Sequence, residues 1–204
     1  EKQAIEKKQS DLANEITKEI HNLGFETNSS ESYEKIFLYC VEVICPESGW
    51  KVPLLPNFII SQPRSGIKNN VVVRLEPIKA QKKYRIRVIE NVSPDSLLDF
   101  NKGTVRGGEI VHSPDGITEY RIKISTLRGD YSKDGVKKNR LRMWDKADVF
   151  PRSDDIYQER LYCIQWTIKN ELGRDSGYQF KEISESETQR EVKLNNYVKN
   201  NLIV

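Results

Sequence analysis

Two short segments of this chain alternate strictly between apolar and basic residues. Residues 84–89 read Tyr-Arg-Ile-Arg-Val-Ile, and residues 120–124 read Tyr-Arg-Ile-Lys-Ile. Because successive side chains of a strand point to opposite faces, each segment can bury its apolar residues as a strand with one solvated face. A mainly antiparallel sheet is therefore predicted. The basic residues of the two segments are expected to line one sheet face: Arg85, Arg87, Arg121 and Lys123.

Helical periodicity marks the two ends of the chain, and the Ser-Pro start and spacing of residues 93–100 suggest a further short, capped helix. Apolar residues recur about every 3.6 positions through residues 1–24 and again through the polar tail 184–202, which predicts a terminal helix at each end. Gly24 is expected to stop the first helix, and the Ser-Glu-Ser-Glu start of the second resembles a capping box. Between them, strand-like runs are separated by Pro, Gly, Asn and Ser clusters. These runs are 33–45, 50–61, 71–77, 84–90, 109–112, 117–125 and 159–169.

The predicted fold class is α+β, with a mainly antiparallel, twisted β-sheet flanked by N- and C-terminal helices. We divide the chain into an N-terminal helix at 1–26, a β-rich domain at 33–170 and a C-terminal helical segment at 171–204. No apolar run approaches the roughly 20 residues that cross a bilayer, so no membrane partner is expected. Three scattered cysteines make no disulfide framework, which favours a cytoplasmic location. The only methionine is Met143, so we expect a piece of a larger protein.

Two five-residue frames repeat the spacing of a zinc knuckle, in which a tight turn aims two thiolates at one ion. Residues 45–49 read Cys-Pro-Glu-Ser-Gly, and residues 112–116 read His-Ser-Pro-Asp-Gly. Serine is a poor zinc ligand at neutral pH, so the candidate metal ligands are Cys45, His112 and Asp115, completed by a water. Such an open set would suit a metal-dependent hydrolase. The alternative, which we favour, is that packing replaces the metal in both hairpins, leaving no bound metal.

A basic segment follows the second frame. Residues 136–146 carry five cations against one carboxylate, a density that attracts phosphates through counterion release. Trp144 or Tyr131 could stack on an exposed base, while the alternative is a solvated loop anchored by Trp144 in the core. The net charge of only +3 makes any nucleic-acid surface local. The predicted nucleic-acid-binding residues are Arg106, Arg128, Lys137, Lys138, Arg140 and Arg142.

Several segments, taken in order, resemble a known family. Residues 39–54, which contain Cys-Pro-Glu-Ser-Gly-Trp, and residues 103–109, Gly-Thr-Val-Arg-Gly-Gly-Glu, resemble the knuckle regions of zinc-ribbon-containing adenine-specific DNA methylases. The anti-phage-defence branch of that family similarly carries stretches like residues 125–131, Ser-Thr-Leu-Arg-Gly-Asp-Tyr, and 159–166, Glu-Arg-Leu-Tyr-Cys-Ile-Gln-Trp. The resemblance covers residues 33 to 168. The missing second sulfur of the first knuckle departs from the family.

The resemblance implies an inserted DNA-binding or target-recognition domain of a bacterial or archaeal adenine-specific DNA methyltransferase, in phage defence or restriction-modification. The parent protein would use S-adenosylmethionine, and the remaining methyltransferase domains would be partners. The chain contains neither an Asp-Pro-Phe cofactor signature nor an (Asn/Asp)-Pro-Pro-Tyr loop. No catalytic residue and no cofactor are therefore assigned to it, and alone it is expected to be inactive. The alternative function is a protein-interaction module that docks the methylase to other defence-system subunits.

Overall fold

The structure is a computed structural model that describes residues 2–27, 29–63 and 70–201. It has the predicted α+β class, with a mixed, mostly antiparallel sheet between two terminal helices in chain order. The elements are α1 (Lys2–Leu23), β1 (Ser32–Ile44), β2 (Lys51–Leu54), β3 (Ile59–Ser61), β4 (Val71–Ile78), β5 (Lys83–Ile89), β6 (Val105–Arg106), β7 (Glu109–His112), β8 (Tyr120–Lys123), α2 (Ile124–Arg128), β9 (Tyr131–Lys133), β10 (Val136–Lys138), β11 (Gln158–Lys169), β12 (Asp175–Glu182) and α3 (Glu185–Asn201). Two short 3-10 turns occupy Lys79–Gln81 and Asp95–Phe100.

The chain divides into two compact units. The terminal unit comprises residues 2–37 and 164–201, and the central unit comprises residues 38–163, so the division falls within β1 and within β11. The segment 171–204, expected to be helical, also contains the strand β12 ahead of α3. Asp, Ser and Gly open that strand, and Tyr178 and Phe180 are its only large apolar side chains, so it lacks the longer apolar alternation of a strand such as β5.

The terminal unit is organised by a buried ion pair. Glu34 of β1 is 5% exposed, and both its carboxylate oxygens accept from the guanidinium of Arg190 in α3, at 2.6 and 2.5 Å. The backbone N–H of Thr27 donates to the same carboxylate at 2.6 Å. A buried carboxylate is tolerated only when its oxygens are satisfied in this way. The Arg190–Glu34 pair thus fixes α3 on the start of β1.

In the central unit, the main sheet runs in the order β11-β1-β2-β5-β4-β3. Antiparallel ladders join β1 to β2, β4 to β5 and β3 to β4, and the β2–β5 contact is parallel. A second sheet contains β6, β7 and β8, and a third contains only β9 and β10. The predicted alternation is confirmed in β5, where Tyr84 and Ile86 are buried and Arg85 is exposed. However, β5 and β8 lie in different sheets, so their basic residues do not share one sheet face as expected.

The main core cluster lies where the first two sheets meet. It is built from buried residues of both: Val43, Cys45, Trp50, Val52, Tyr84, Ile110 and Ile122.

Close packing of the segment after the second 3-10 turn requires a glycine at position 103. A Cβ on Gly103 would come within 2.0 Å of the Leu55 carbonyl oxygen, so only glycine allows this approach. The hydroxyl of the next residue, Thr104, accepts a hydrogen bond from the Leu55 N–H at 2.9 Å and so satisfies the backbone at the end of β2.

Candidate nucleic-acid interface and the two knuckle hairpins

The strands β9 and β10 form a small two-stranded ribbon. Val136 pairs with Lys133, and Lys138 pairs with Tyr131, in antiparallel register. The connecting residues, Asp134 and Gly135, have φ of 55° and 76°. Positive φ at both central residues defines the tight two-residue turn that suits the twist of a hairpin, and Asp-Gly is a preferred sequence for it. The ribbon is thus specified locally.

The ribbon is exposed along its whole length. Every residue from 130 to 140 is exposed. Because side chains alternate along each strand, the register groups Tyr131 and Lys133 with their partners Val136 and Lys138 on one face, and places Lys137 on the other. Both faces therefore carry lysine, and one of them also carries an aromatic ring that is 43% exposed.

The structure brings four of the six predicted nucleic-acid-binding residues together. Arg128, Lys137 and Lys138 line one shallow cavity of about 400 Å³ beside the ribbon. The backbone N–H of Arg140 donates to the Arg128 carbonyl at 2.9 Å, which attaches the end of the ribbon to α2. Arg128 itself is paired with Asp130 at 2.5 Å. In contrast, Lys137, Lys138 and Arg140 have no carboxylate partner among the described residues.

The other two predicted residues have different environments. The Arg142 guanidinium donates to Asp155 at 2.9 and 2.6 Å and also to Asp148. The hydrogen bonds that the guanidinium donates to Asp155 and Asp148 raise the pKa of Arg142 above its usual value. Arg106 donates from Nε to the Gly103 carbonyl at 2.8 Å. Arg142 thus belongs to an ionic network that shapes the segment after the ribbon, and its charge is already neutralised.

The two knuckle frames form hairpin loops that meet in the central unit. The first loop connects β1 to β2 and is closed by the Cys45 N–H donating to the Trp50 carbonyl at 2.8 Å. The second connects β7 to β8, where His112 pairs with Tyr120. The frame glycines have φ of 71° and 75°, the left-handed conformation that such turns require.

Hydrogen bonds connect the ligand positions of the two loops. The hydroxyl of Ser48 lies 3.2 Å from Nε2 of His112, and the hydroxyl of Tyr84 lies 2.9 Å from its Nδ1. A neutral imidazole has one donor and one acceptor nitrogen, so the two hydroxyls satisfy it completely in either tautomer. Burial lowers the pKa of His112, which favours this neutral form, and burial raises the pKa of Tyr84 above its usual value.

The other two candidate metal ligands, Cys45 and Asp115, have structural environments. Cys45 is 1% exposed within the main core cluster. The Asp115 carboxylate accepts from the backbone N–H groups of Ile117 at 2.9 Å and Thr118 at 2.7 Å, and these bonds lower its pKa to about 2. Among the described residues, no group of three or more His, Cys, Asp or Glu side chains is placed to hold a metal ion.

Sequence reasoning missed two parts of these sites. Lys133 lies in the ribbon but outside the basic segment, although the Asp-Gly dipeptide next to it is a strong hairpin signal. The sequence pattern indicates Tyr84 only as a strand residue, because its contact with His112 joins residues far apart in the chain. Trp144 is 50% exposed, so the expectation that it anchors the loop in the core is wrong.

Within the part of the chain that the structure describes, no helix is both long and apolar enough to span a membrane. Comparison with protein-family models, with curated proteins and with solved structures found no match for this chain.

Proposed function

We propose that this chain is a DNA-binding domain that grips duplex DNA with the β9–β10 ribbon. The observation that carries the proposal is the ribbon itself: a two-stranded, fully exposed element with Lys133, Lys137 and Lys138 in six strand positions, followed by Arg140. The major groove of B-DNA is wide enough to admit a two-stranded β-ribbon. Lysines on both faces of an inserted ribbon would meet the phosphates on both groove walls.

The charge balance around the ribbon supports this role. Its opposing carboxylates are Asp134 in the turn and Asp130, which is already paired with Arg128. Exposed lysine ammonium groups contact phosphates with little geometric demand, so they give affinity rather than sequence discrimination. The proposed contact is therefore mainly with the DNA backbone, and Tyr131 is the exposed aromatic side chain of the ribbon.

The resemblance to adenine-specific DNA methylases extends the proposal to a parent protein. In that proposal, the chain is the target-recognition or DNA-clamping insertion of a methyltransferase in phage defence or restriction-modification. S-adenosylmethionine and the flipped adenine would be bound by the remaining domains. This extension rests on the sequence motifs alone, and the ribbon would bind duplex DNA with or without it.

A titration of the chain against a short labelled duplex tests the proposal. The ribbon variant K137A/K138A is compared with K7A/K8A, which removes the same charge from exposed positions of α1. We expect fluorescence anisotropy to show binding that weakens from about 50 to about 200 mM salt and that is reduced several-fold by the ribbon variant. The control variant should bind like the wild type. Absence of binding at low salt, or equal loss in both variants, contradicts the proposal.

A specific observation favours the second candidate, a protein-interaction module. Helix α1 has no buried residue, and its apolar side chains Ile5, Leu12 and Ile16 are 55%, 58% and 48% exposed. An unpaired apolar stripe on a long helix is a common docking surface. Replacing all three residues by Gln should abolish capture of a protein partner while leaving the DNA titration unchanged. An effect on DNA binding alone would count against this second role.

A further inference from the structure

A second cavity lies directly after the ribbon in the central unit. It has a volume of about 460 Å³, within the range of small-molecule sites. Its lining includes an aromatic ring, aliphatic side chains, a cation and exposed carboxylates: Trp144, Val41, Ile156, Arg140, Asp154 and Glu159. Arg140 links this cavity to the proposed DNA-binding surface.

The Trp144 ring is held in place and remains accessible. The guanidinium carbon of Arg142 lies over the ring, 5.8 Å from its centroid, within the range of a cation–π contact. Arg142 is itself fixed by Asp148 and Asp155, and both carboxylates are largely buried. Since the ring is still 50% exposed, it presents a positioned aromatic surface at the cavity.

The cavity chemistry suits an uncharged, planar ligand with amino groups. Trp144 offers a stacking surface, and Val41 and Ile156 are apolar. Asp154 and Glu159 would repel a phosphate, but a carboxylate accepts hydrogen bonds from the exocyclic amino group of a nucleobase. A single base combines the aromatic face with that amino group. The phosphates next to it would meet Arg140 and the ribbon.

The cavity and the ribbon are joined by continuous structure. Arg140 lines the cavity, lies two residues after the end of β10, and is tied through its N–H to the Arg128 carbonyl at 2.9 Å. DNA whose backbone follows the ribbon would therefore pass the mouth of the cavity. A base within a paired duplex cannot reach it, because its faces are covered by neighbouring bases.

We propose that this cavity receives one unpaired, amino-bearing nucleobase of the DNA bound at the ribbon, stacked on Trp144. The inference rests on the proposed function, since the ribbon supplies the backbone contacts. Taking a base out of the stack costs least where the base is already bulged or mismatched. The domain is therefore expected to prefer DNA carrying such a defect.

The test compares three duplexes: fully paired, with one bulged adenine, and with an abasic site in place of that adenine. Stacking on an aromatic side chain is worth about 1–3 kcal/mol per base, so the bulged adenine should tighten binding by about five- to 150-fold. The abasic duplex, which is equally flexible, should bind like the paired one. Quenching of the intrinsic fluorescence by contact with bound DNA reports on Trp144, because Trp50 and Trp166 are only 8% and 9% exposed. We expect quenching only with the bulged adenine.

Two variants distinguish this inference from the proposed function. Trp144→Ala should lose the preference for the bulge while still binding paired DNA, and Trp144→Phe should keep part of it. Equal affinity for the three duplexes, with binding that still depends on Lys137 and Lys138, overturns the cavity proposal alone. Absence of binding to every duplex overturns both proposals. A bulge preference that survives Trp144→Ala also overturns the cavity proposal, since the base would then bind elsewhere.

Discussion

Removing one hydroxyl tests the hydrogen-bonded contact between the two knuckle hairpins. In the variant Tyr84→Phe, Nδ1 of His112 loses its partner at 2.9 Å. The two residues are 3% and 5% exposed, so water cannot replace the hydroxyl without rearrangement. An unsatisfied buried polar group costs about 1–3 kcal/mol. The ring remains and keeps its contact with Trp50, at 5.2 Å between centroids, so no further packing loss is expected.

The expected decrease in the free energy of unfolding is therefore about 2 kcal/mol, which lowers Tm by roughly 4–8 °C in a chain of this size. Urea unfolding followed by tryptophan fluorescence measures it, since Trp50 lies in the same cluster. Tyr131→Phe is the matched control, because Tyr131 is 43% exposed in the ribbon, and it should change stability by less than about 0.5 kcal/mol. Equal stability of Tyr84→Phe and the control would refute the assignment of this hydroxyl to His112.

Three further predictions concern other parts of the fold. Burial lowers the folded-state pKa of His112 below its unfolded value, so the stability that depends on the neutral imidazole should be complete above about pH 6.5. On acidification, the free energy of unfolding should fall by at most about 1.4 kcal/mol per pH unit. Urea titrations at several pH values should show a smaller slope for His112→Gln, and an unchanged slope contradicts this prediction. Arg190→Met leaves the Glu34 carboxylate buried without its cation and should cost about 3–5 kcal/mol in thermal unfolding; a loss below 1 kcal/mol contradicts burial of the charge. Gly103→Ala should prevent stable folding, whereas Gly177→Ala, where an added Cβ meets nothing within 4 Å, should be tolerated; circular dichroism distinguishes the two outcomes.

Elements set by local pattern could be predicted from the sequence. The strict alternation of β5 specifies a strand with one buried face, and the periodicity of residues 2–23 specifies α1. The polar strand β12 could not be found in this way, because only one of its residues is buried and no alternation results. The parallel pairing of β2 with β5, and the separation of β5 from β8, depend on long-range packing that local pattern does not encode.

The candidate sites show the same division. The basic segment is visible as composition, but composition does not distinguish the exposed Lys137 from Arg142, which is neutralised by two carboxylates of the following loop. The knuckle frames correctly indicated two hairpins. That Ser48 and Tyr84 would both reach the ring of His112 required the tertiary structure, since the three residues lie on three separate parts of the chain.

The salt dependence of duplex binding tests the ribbon most directly. Each phosphate contact contributes about −0.9 to the slope of log K against log salt, so loss of Lys137 and Lys138 should make the slope less steep by about two. The variant K7A/K8A, with the same change in net charge, should keep the wild-type slope. If the ribbon variant keeps that slope, or if both variants lose the same amount, the ribbon does not contact the DNA backbone and the proposed function is wrong.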